Sequence, residues 1–371
     1  MNPETPAPDP LARIRTDVQG MHAYAVQDAT GMLKLDAMEN PHRLAPGLQA
    51  ELGRRLGAVA INRYPGARVD ELKAALQAYA APPAGWSLML GNGSDELISL
   101  VAMACDIPGA AILAPLPGFV MYAMGAQLQG LAFHGVPLTA DFQLDEAAML
   151  AAIAQHRPAI LYLAYPNNPT GTLWDEAVIG RLIAAQGDHP GGGGGLVVMD
   201  EAYQPFAARS WIENVRAAPE RHGHVLVMRT LSKFGLAGVR IGYLLGEARL
   251  IAQLDKVRPP YNVSVLNAEC ALFALEHAEV FAAQAADIRR ERAALVAALA
   301  ALPGVTPYPS EANMVLVRVP DAPKAFEGMK ARGVLVKNVS KMHPLLADCL
   351  RLTVGTAEEN AQMLAALKAS L

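Results

Sequence analysis

Apolar positions along the chain fall into two textures that take turns. Short unbroken runs occur at Ser87–Leu90, Ala110–Leu113, Leu131–Val136, Ala159–Ala164, Leu196–Met199, Val225–Met228 and Ile241–Leu245. They lack the polar alternation of a half-exposed strand, so they predict strands buried on both faces. Stretches of helical spacing lie between them, among them Asp95–Cys105, Phe119–Gln127, Leu144–Gln155 and Asp175–Ala185. The alternation predicts an α/β domain with helices flanking a mostly parallel, seven-stranded sheet. Helical texture also runs from Leu48 and from Val69 to Tyr79, ahead of the first strand. After Pro259-Pro260 the texture changes to a long Ala-rich helical stretch, Asn267–Leu302. Strands at Met314–Val319 and Leu350–Val354 and helices at Ala322–Arg332 and Ala357–Leu371 follow, which predicts a smaller α+β domain. The expected division is 1–47, an arm with part of the small domain; 48–258, the large domain; and 259–371, the small C-terminal domain.

Composition narrows the class. With 52% hydrophobic and 18% charged residues the chain has ample core material and no disorder signature. A net charge of −4 offers no basic face for nucleic acid. Apolar stretches such as Ala293–Val305 are too short to cross a bilayer, and the start MNPETPAPDP carries acids and prolines where a signal peptide is basic, then apolar. Cys105, Cys270 and Cys349 are too far apart for a disulfide framework or a zinc site. No histidine has metal-ligand spacing, so no metal is expected; His222 and His224 read as surface residues and His343 as a solvated loop residue rather than one at a substrate entrance. Gly191–Gly195 precedes a strand rather than a helix, and reads as a flexible loop rather than a phosphate cradle. The expectation is a cytoplasmic enzyme with neither nucleic acid nor membrane as partner.

Four motifs carry the chemistry. Lys233, in Thr230-Leu231-Ser232-Lys233, stands at the carboxyl end of a run, where ligands of open α/β sheets bind. Partly withdrawn from water and near another cation, such a lysine loses pKa and becomes a nucleophile toward carbonyls. Asp200 ends another run, three residues before Tyr203. That arrangement fits a pyridoxal phosphate (PLP) site, in which a carboxylate keeps the ring nitrogen protonated; alone, a strand-end Asp is equally a helix cap. The stretch 165–171, YPNNPTG, predicts a tight turn after a strand. The stretch 91–96, GNGSDE, lies between a strand and a helix, with Ser94 the expected N-cap and free amides suited to a phosphate. Glu96 stands where a dinucleotide fingerprint wants glycine, and no Gly-Lys-Ser/Thr follows, which argues against a nicotinamide dehydrogenase and a Walker motif.

Together these motifs resemble the fold-type I PLP aminotransferases, and within them the histidinol-phosphate aminotransferases. The resemblance runs from about Tyr24 to Gly355 and includes LDAMENP (35–41), RYPG (63–66), PGFVMY (117–122), TLSKFGLAGVRIGY (230–243), PSEANMVLVR (309–318) and CLRLTVGT (349–356). It implies that Lys233 bonds PLP and shuttles the substrate proton, that Asp200 pairs with the pyridinium nitrogen, and that Tyr203 and Asn168 bond the phenolic oxygen. Phe119 would stack on the ring. Gly93, Ser94 and Asp95, at the helix start, with Ser232 and Arg240, would hold the phosphate. Tyr64 would reach that phosphate from the neighbouring subunit of a homodimer. On the substrate side the resemblance implies Tyr24, Asn168, Lys337 and Arg351, the last gripping the α-carboxylate with its guanidinium fork. The implied reaction is transamination of L-histidinol phosphate with 2-oxoglutarate, giving imidazole-acetol phosphate and glutamate.

Three departures stand out. Lys233 and Arg240 are seven residues apart, one fewer than the family's usual spacing, and the intervening glycines are expected to take up the shorter loop. Met38 replaces a usual asparagine, and Lys337 a usual arginine that helps bind the substrate phosphate. The rival readings are an aromatic amino acid aminotransferase, a phosphothreonine-type PLP decarboxylase and a PLP-binding protein without catalysis. Lys233, Asp200 and Arg351 argue against the last.

Overall fold

A computed structural model describes residues 9–21, 23, 27–188 and 194–371. Tyr24 and Gly191–Gly193 lie outside the described residues. The seven apolar runs form one sheet: β1 (Trp86–Gly91), β2 (Ala111–Leu116), β3 (Ala132–Pro137), β4 (Ile160–Ala164), β5 (Leu196–Asp200), β6 (Val225–Thr230) and β7 (Gly242–Glu247). Their order across the sheet is β1-β7-β6-β5-β4-β2-β3. All neighbours are parallel except around β7, which runs against both β1 and β6.

The unbroken runs are explained by a layer on each face. On one face Leu163, Met199 and Val227 pack against Leu72 and Leu76 of Ala67–Ala80, Ile179 and Leu182 of Glu176–Gly187, and Ala271 and Leu272 of Val265–Glu276. On the other, Met89, Val198 and Met228 meet Leu97, Ile98 and Val101 of Ser94–Ala104 and Ala126 of Val120–Gln129. Each fully buried Leu, Ile or Val contributes about 1.5–3 kcal/mol. Asp145 and Asp175 start the helices Glu146–His156 and Glu176–Gly187 by accepting the backbone N–H groups of Ala148 and Ala177.

A second sheet follows, antiparallel throughout, in the order Lys337–Asn338, Cys349–Thr353, Met314–Arg318, Thr306–Pro307. The N-terminal segment reaches this unit, where Leu33–Lys34 pairs in parallel with Val334–Leu335. The expected helix Asn267–Leu302 is two helices, Val265–Glu276 and Ala278–Ala300, parted at His277. The first packs on Ala67–Ala80, while Ile288, Leu295 and Leu299 of the second are buried in the smaller unit. Phe281, in the first turn of the second helix, still packs in the large core, so we propose that the smaller unit begins within Ala278–Ala300 rather than at residue 259.

Candidate active site

Six strand ends point their loops at one place. Ser94 follows β1, Phe119 follows β2, Asn168 follows β4, Asp200 ends β5, Lys233 follows β6 and Arg240 precedes β7. The reversed direction of β7 makes this possible, because its first residue, Gly242, is paired with both Gly91 and Thr230 at the carboxyl ends of their strands. The six residues line one cavity, open on one side.

Asp200 is 5% exposed. Its Oδ2 accepts from the Tyr122 hydroxyl at 2.6 Å and its Oδ1 from the Ala202 N–H at 3.0 Å. Burial pushes its carboxyl up to about 6; the Tyr122 and Ala202 hydrogen bonds pull the other way. A carboxylate buried beside an open cavity, held by neutral donors, is complementary to a cationic N–H.

Lys233 donates from Nζ to the Ala37 carbonyl at 2.8 Å. Burial lowers its ammonium to about 8; the Arg351 charge adds to this, and Glu39 and Asp95 oppose it. The short spacing to Arg240 is absorbed by backbone. Ser232–Leu236 makes one wide turn of π type with Gly235 at φ 142°, and Arg240 adopts a left-handed φ of 56°. A Cβ at Gly235 would lie 2.9 Å from Phe281.

The phosphate-like corner is built from backbone. Gly93 is the N-cap of Ser94–Ala104, and Ser94 is the first helical residue, with no side-chain cap bond; this corrects the expected Ser94 cap. Gly93 has φ 83°, and a Cβ there would lie 2.4 Å from the Arg240 guanidinium, so the loop reaches Arg240 because the residue is glycine. Arg240 Nη1 donates to Ser232 Oγ at 3.2 Å and Nη2 lies 3.6 Å from Asp95 Oδ2. The first-turn N–H groups of a helix have no intrahelical partner. These amides, a serine hydroxyl and a guanidinium form an anion cradle.

Opposite lies a buried polar chain. Asn168 Nδ2 donates to the Tyr203 hydroxyl at 3.0 Å, and Asn168 Oδ1 accepts from Arg351 Nη1 at 2.8 Å. Arg351 Nη2 donates to the Asp36 carbonyl at 2.7 Å. Lys337 is the direct cross-strand partner of Arg351, so the two side chains leave the same face of the small sheet. Lys337 is half-buried and does not line the cavity. Met38 does line it, 7% exposed, with φ 53°. Left-handed backbone costs roughly 1–2 kcal/mol for most residues and is best tolerated by Gly or Asn.

Tyr64 stays away from its own chain's cavity. It is 75% exposed and stacks on Tyr261, ring centroids 4.2 Å apart. Tyr122, inside the motif PGFVMY, and the Asp36 and Ala37 carbonyls join the site without a signal in the sequence. The expected surface placement of two histidines does not hold. His222 is 8% exposed and bonds the Ala218 carbonyl, while His224 is half-buried against the Ile183 carbonyl. His343 is half-buried and caps the turn Pro344–Leu346 by accepting the Leu345 N–H at 3.2 Å.

Among the described residues no cluster of His, Cys, Asp and Glu could hold a metal ion, and no helix is long and apolar enough to cross a membrane. The family model "Aminotransferase class I and II" matches residues 31–367. The chain is 72% identical over 362 residues to a histidinol-phosphate aminotransferase of Acidovorax sp. (strain JS42), covering 97% of each chain. It is 70% identical to the protein of that name from Methylibium petroleiphilum, over 97% of this chain and 95% of the relative. A solved histidinol-phosphate aminotransferase from Sinorhizobium meliloti, in complex with pyridoxal-5'-phosphate, superposes with a TM-score of 0.80 at 24% identity, covering 96% of this chain and 97% of that one. Matched along nearly its whole length, the chain belongs to the class I and II aminotransferases.

Proposed function

We propose that the protein binds pyridoxal 5'-phosphate and transfers the amino group of L-histidinol phosphate to 2-oxoglutarate, giving imidazole-acetol phosphate and glutamate, a step of histidine biosynthesis. The observation that carries the substrate is the 72% identity to the full-length Acidovorax relative. The cavity fits the cofactor chemically. Asp200 is a buried carboxylate awaiting a cationic N–H, and Gly93, Ser94, Asp95, Ser232 and Arg240 make an anion cradle across the cavity from the Asn168–Tyr203 pair.

In this reading Lys233 would hold the cofactor by its aldehyde carbon with loss of water, Asp200 would pair with its ring nitrogen, Tyr203 and Asn168 would bond its phenolic oxygen, and Phe119 would pack against the ring. When bound, PLP supplies an electron sink for the pair left on the substrate's Cα. The remaining work belongs to the chain. Lys233 Nζ, with its lowered pKa, takes and returns the Cα proton. Arg351 holds the keto acid's carboxylate, and Lys337 on the same face adds a second cation for a phosphate.

A half-reaction tests the proposal. Histidinol phosphate mixed with the loaded protein should bleach its visible absorbance without releasing carbon dioxide. Release of carbon dioxide would instead indicate a phosphothreonine-type decarboxylase, and bleaching by aromatic amino acids alone would indicate an aromatic aminotransferase. A charge-assisted hydrogen bond is worth about 1.5–3 kcal/mol, or roughly 10–150-fold in binding. Lys337→Ala should therefore raise the KM for histidinol phosphate by that factor and leave the KM for glutamate nearly unchanged, while Lys337→Arg should be tolerated. Equal effects on both substrates would remove Lys337 from the phosphate site.

A homodimer working in the cytoplasm is part of the proposal, the location being open to cell fractionation. Its support is the exposure of Ile61 at 73% and Tyr64 at 75%, adjoining positions on a segment turned away from its own cavity. Sedimentation should give a dimer, and Tyr64→Phe should raise the PLP dissociation constant. A fully active monomer would exclude the shared site.

A further inference from the structure

We infer that Tyr122 is a positioning residue for the proposed reaction, its hydroxyl setting how tightly Asp200 holds a proton. Its catalytic meaning rests on the function proposed above; the coupling itself rests on geometry.

Tyr122 is 2% exposed, one turn into the helix that follows Phe119. Its hydroxyl donates to Asp200 Oδ2 at 2.6 Å. Among the described residues it is the one side-chain donor to this carboxylate, the other partner being the Ala202 N–H. Two ring contacts fix the phenol. Tyr122 stacks on Tyr162 with centroids 4.3 Å apart and planes 9° apart, and meets Phe119 edge-on at 5.7 Å and 84°. Tyr162 is itself fully buried, so the stack has no slack toward solvent. Tyr122 thus links the proposed ring-nitrogen partner to the proposed ring-stacking residue.

Several ionisable groups act on Asp200. Asp95 and Glu201 disfavour its charge, Tyr162 and Tyr203 lie in the same buried layer, and Lys233 and Arg240 line the same cavity. Glu201 is engaged by Arg229 at 2.8 Å and by Ser210. Against burial and two acids, the Tyr122 hydrogen bond favours the charged form. Burial and the neighbouring carboxylate hold the Tyr122 phenol well above its ordinary pKa, so it stays a donor at any working pH. Removing its oxygen leaves a buried carboxylate with a single N–H partner, and the neutral acid is then favoured.

The test is infrared titration of the cofactor-free protein, with the Asp200 carboxyl band assigned by its loss in Asp200→Asn. The wild-type midpoint should lie near about 6. Tyr122→Phe should raise the proton affinity roughly tenfold or more, the size of one charge-assisted hydrogen bond. Tyr162→Phe keeps the stack and should leave the midpoint in place. In the loaded protein, Tyr122→Phe should shift the pH dependence of the visible spectrum the same way, and lower kcat with little change in KM. Should Tyr122→Phe not fold, fluorotyrosine incorporation makes the phenol a stronger donor and should move the midpoint down. An unmoved midpoint in Tyr122→Phe, or an equal rise in Tyr162→Phe, would overturn the coupling. Failure to take up PLP would sink the proposed function, and with it the catalytic meaning of Tyr122, even with the midpoints as expected.

Discussion

Lys233→Ala is expected to lose turnover by about 10⁴-fold or more. Two functions go with one side chain, the nucleophile toward the cofactor's carbonyl and the group that moves the substrate proton, and the second alone is worth roughly 10²–10⁴-fold. The fold should survive, because among the described residues the ammonium makes a single hydrogen bond, to the Ala37 carbonyl. A pH signature goes with the loss. The ammonium of Lys233 is pushed down to about 8, and the free amine is the nucleophile, so capture of PLP by the cofactor-free protein should quicken as pH rises through about 8. Lys233→Ala should show no such phase in stopped-flow absorbance. Near-native transamination by this variant would mean that another group carries the reaction.

Asp200→Asn should separate activity from stability. The amide cannot hold a proton on a ring nitrogen, so turnover should fall about two to four orders of magnitude, the scale of losing one preorganised charged group. The cofactor-free protein should become more stable. The carboxyl of Asp200 rises from 3.8 to about 6 on folding. Between those values the folded chain binds more protons than the unfolded one, so stability falls as pH rises through this window, and the whole penalty persists above about 6. Its size is on the order of 3 kcal/mol, less whatever the amide loses in hydrogen bonding. Thermal unfolding should show Asp200→Asn stabilised above pH about 6 and no better than wild type below about 4. A variant destabilised at neutral pH, or active within tenfold of wild type, would count against the assignment.

Residues were legible in the sequence where their function follows from position on a strand. Lys233, Asp200 and Asn168 each close or follow an unbroken apolar run, and in an open α/β sheet such ends gather at one edge. Tyr122 was not legible because its partner is 78 residues away, and nothing near a helical tyrosine announces a carboxylate from another strand. The Asp36 and Ala37 carbonyls carry no side-chain signal at all. The break at His277 hid because neither Gly nor Pro marks it. Gly93 rather than Ser94 stands at the cap with a φ of 83°, a conformation that glycine takes without strain and that no side-chain pattern announces.

The strap formed by Asp36 and Ala37 makes ligand binding an exchange. One peptide carbonyl takes the Lys233 ammonium, and a second, with the Asn168 amide, takes part of the guanidinium of Arg351. An incoming group must outbid neutral oxygens already in place, so its gain is a difference rather than a full bond. Anions win that contest, since hydrogen bonds to a charged acceptor are roughly twice as strong as those to a neutral one. A neutral alcohol or amide of the same shape gains almost nothing. The strap thereby favours charged ligand groups over neutral ones of the same shape at both cations.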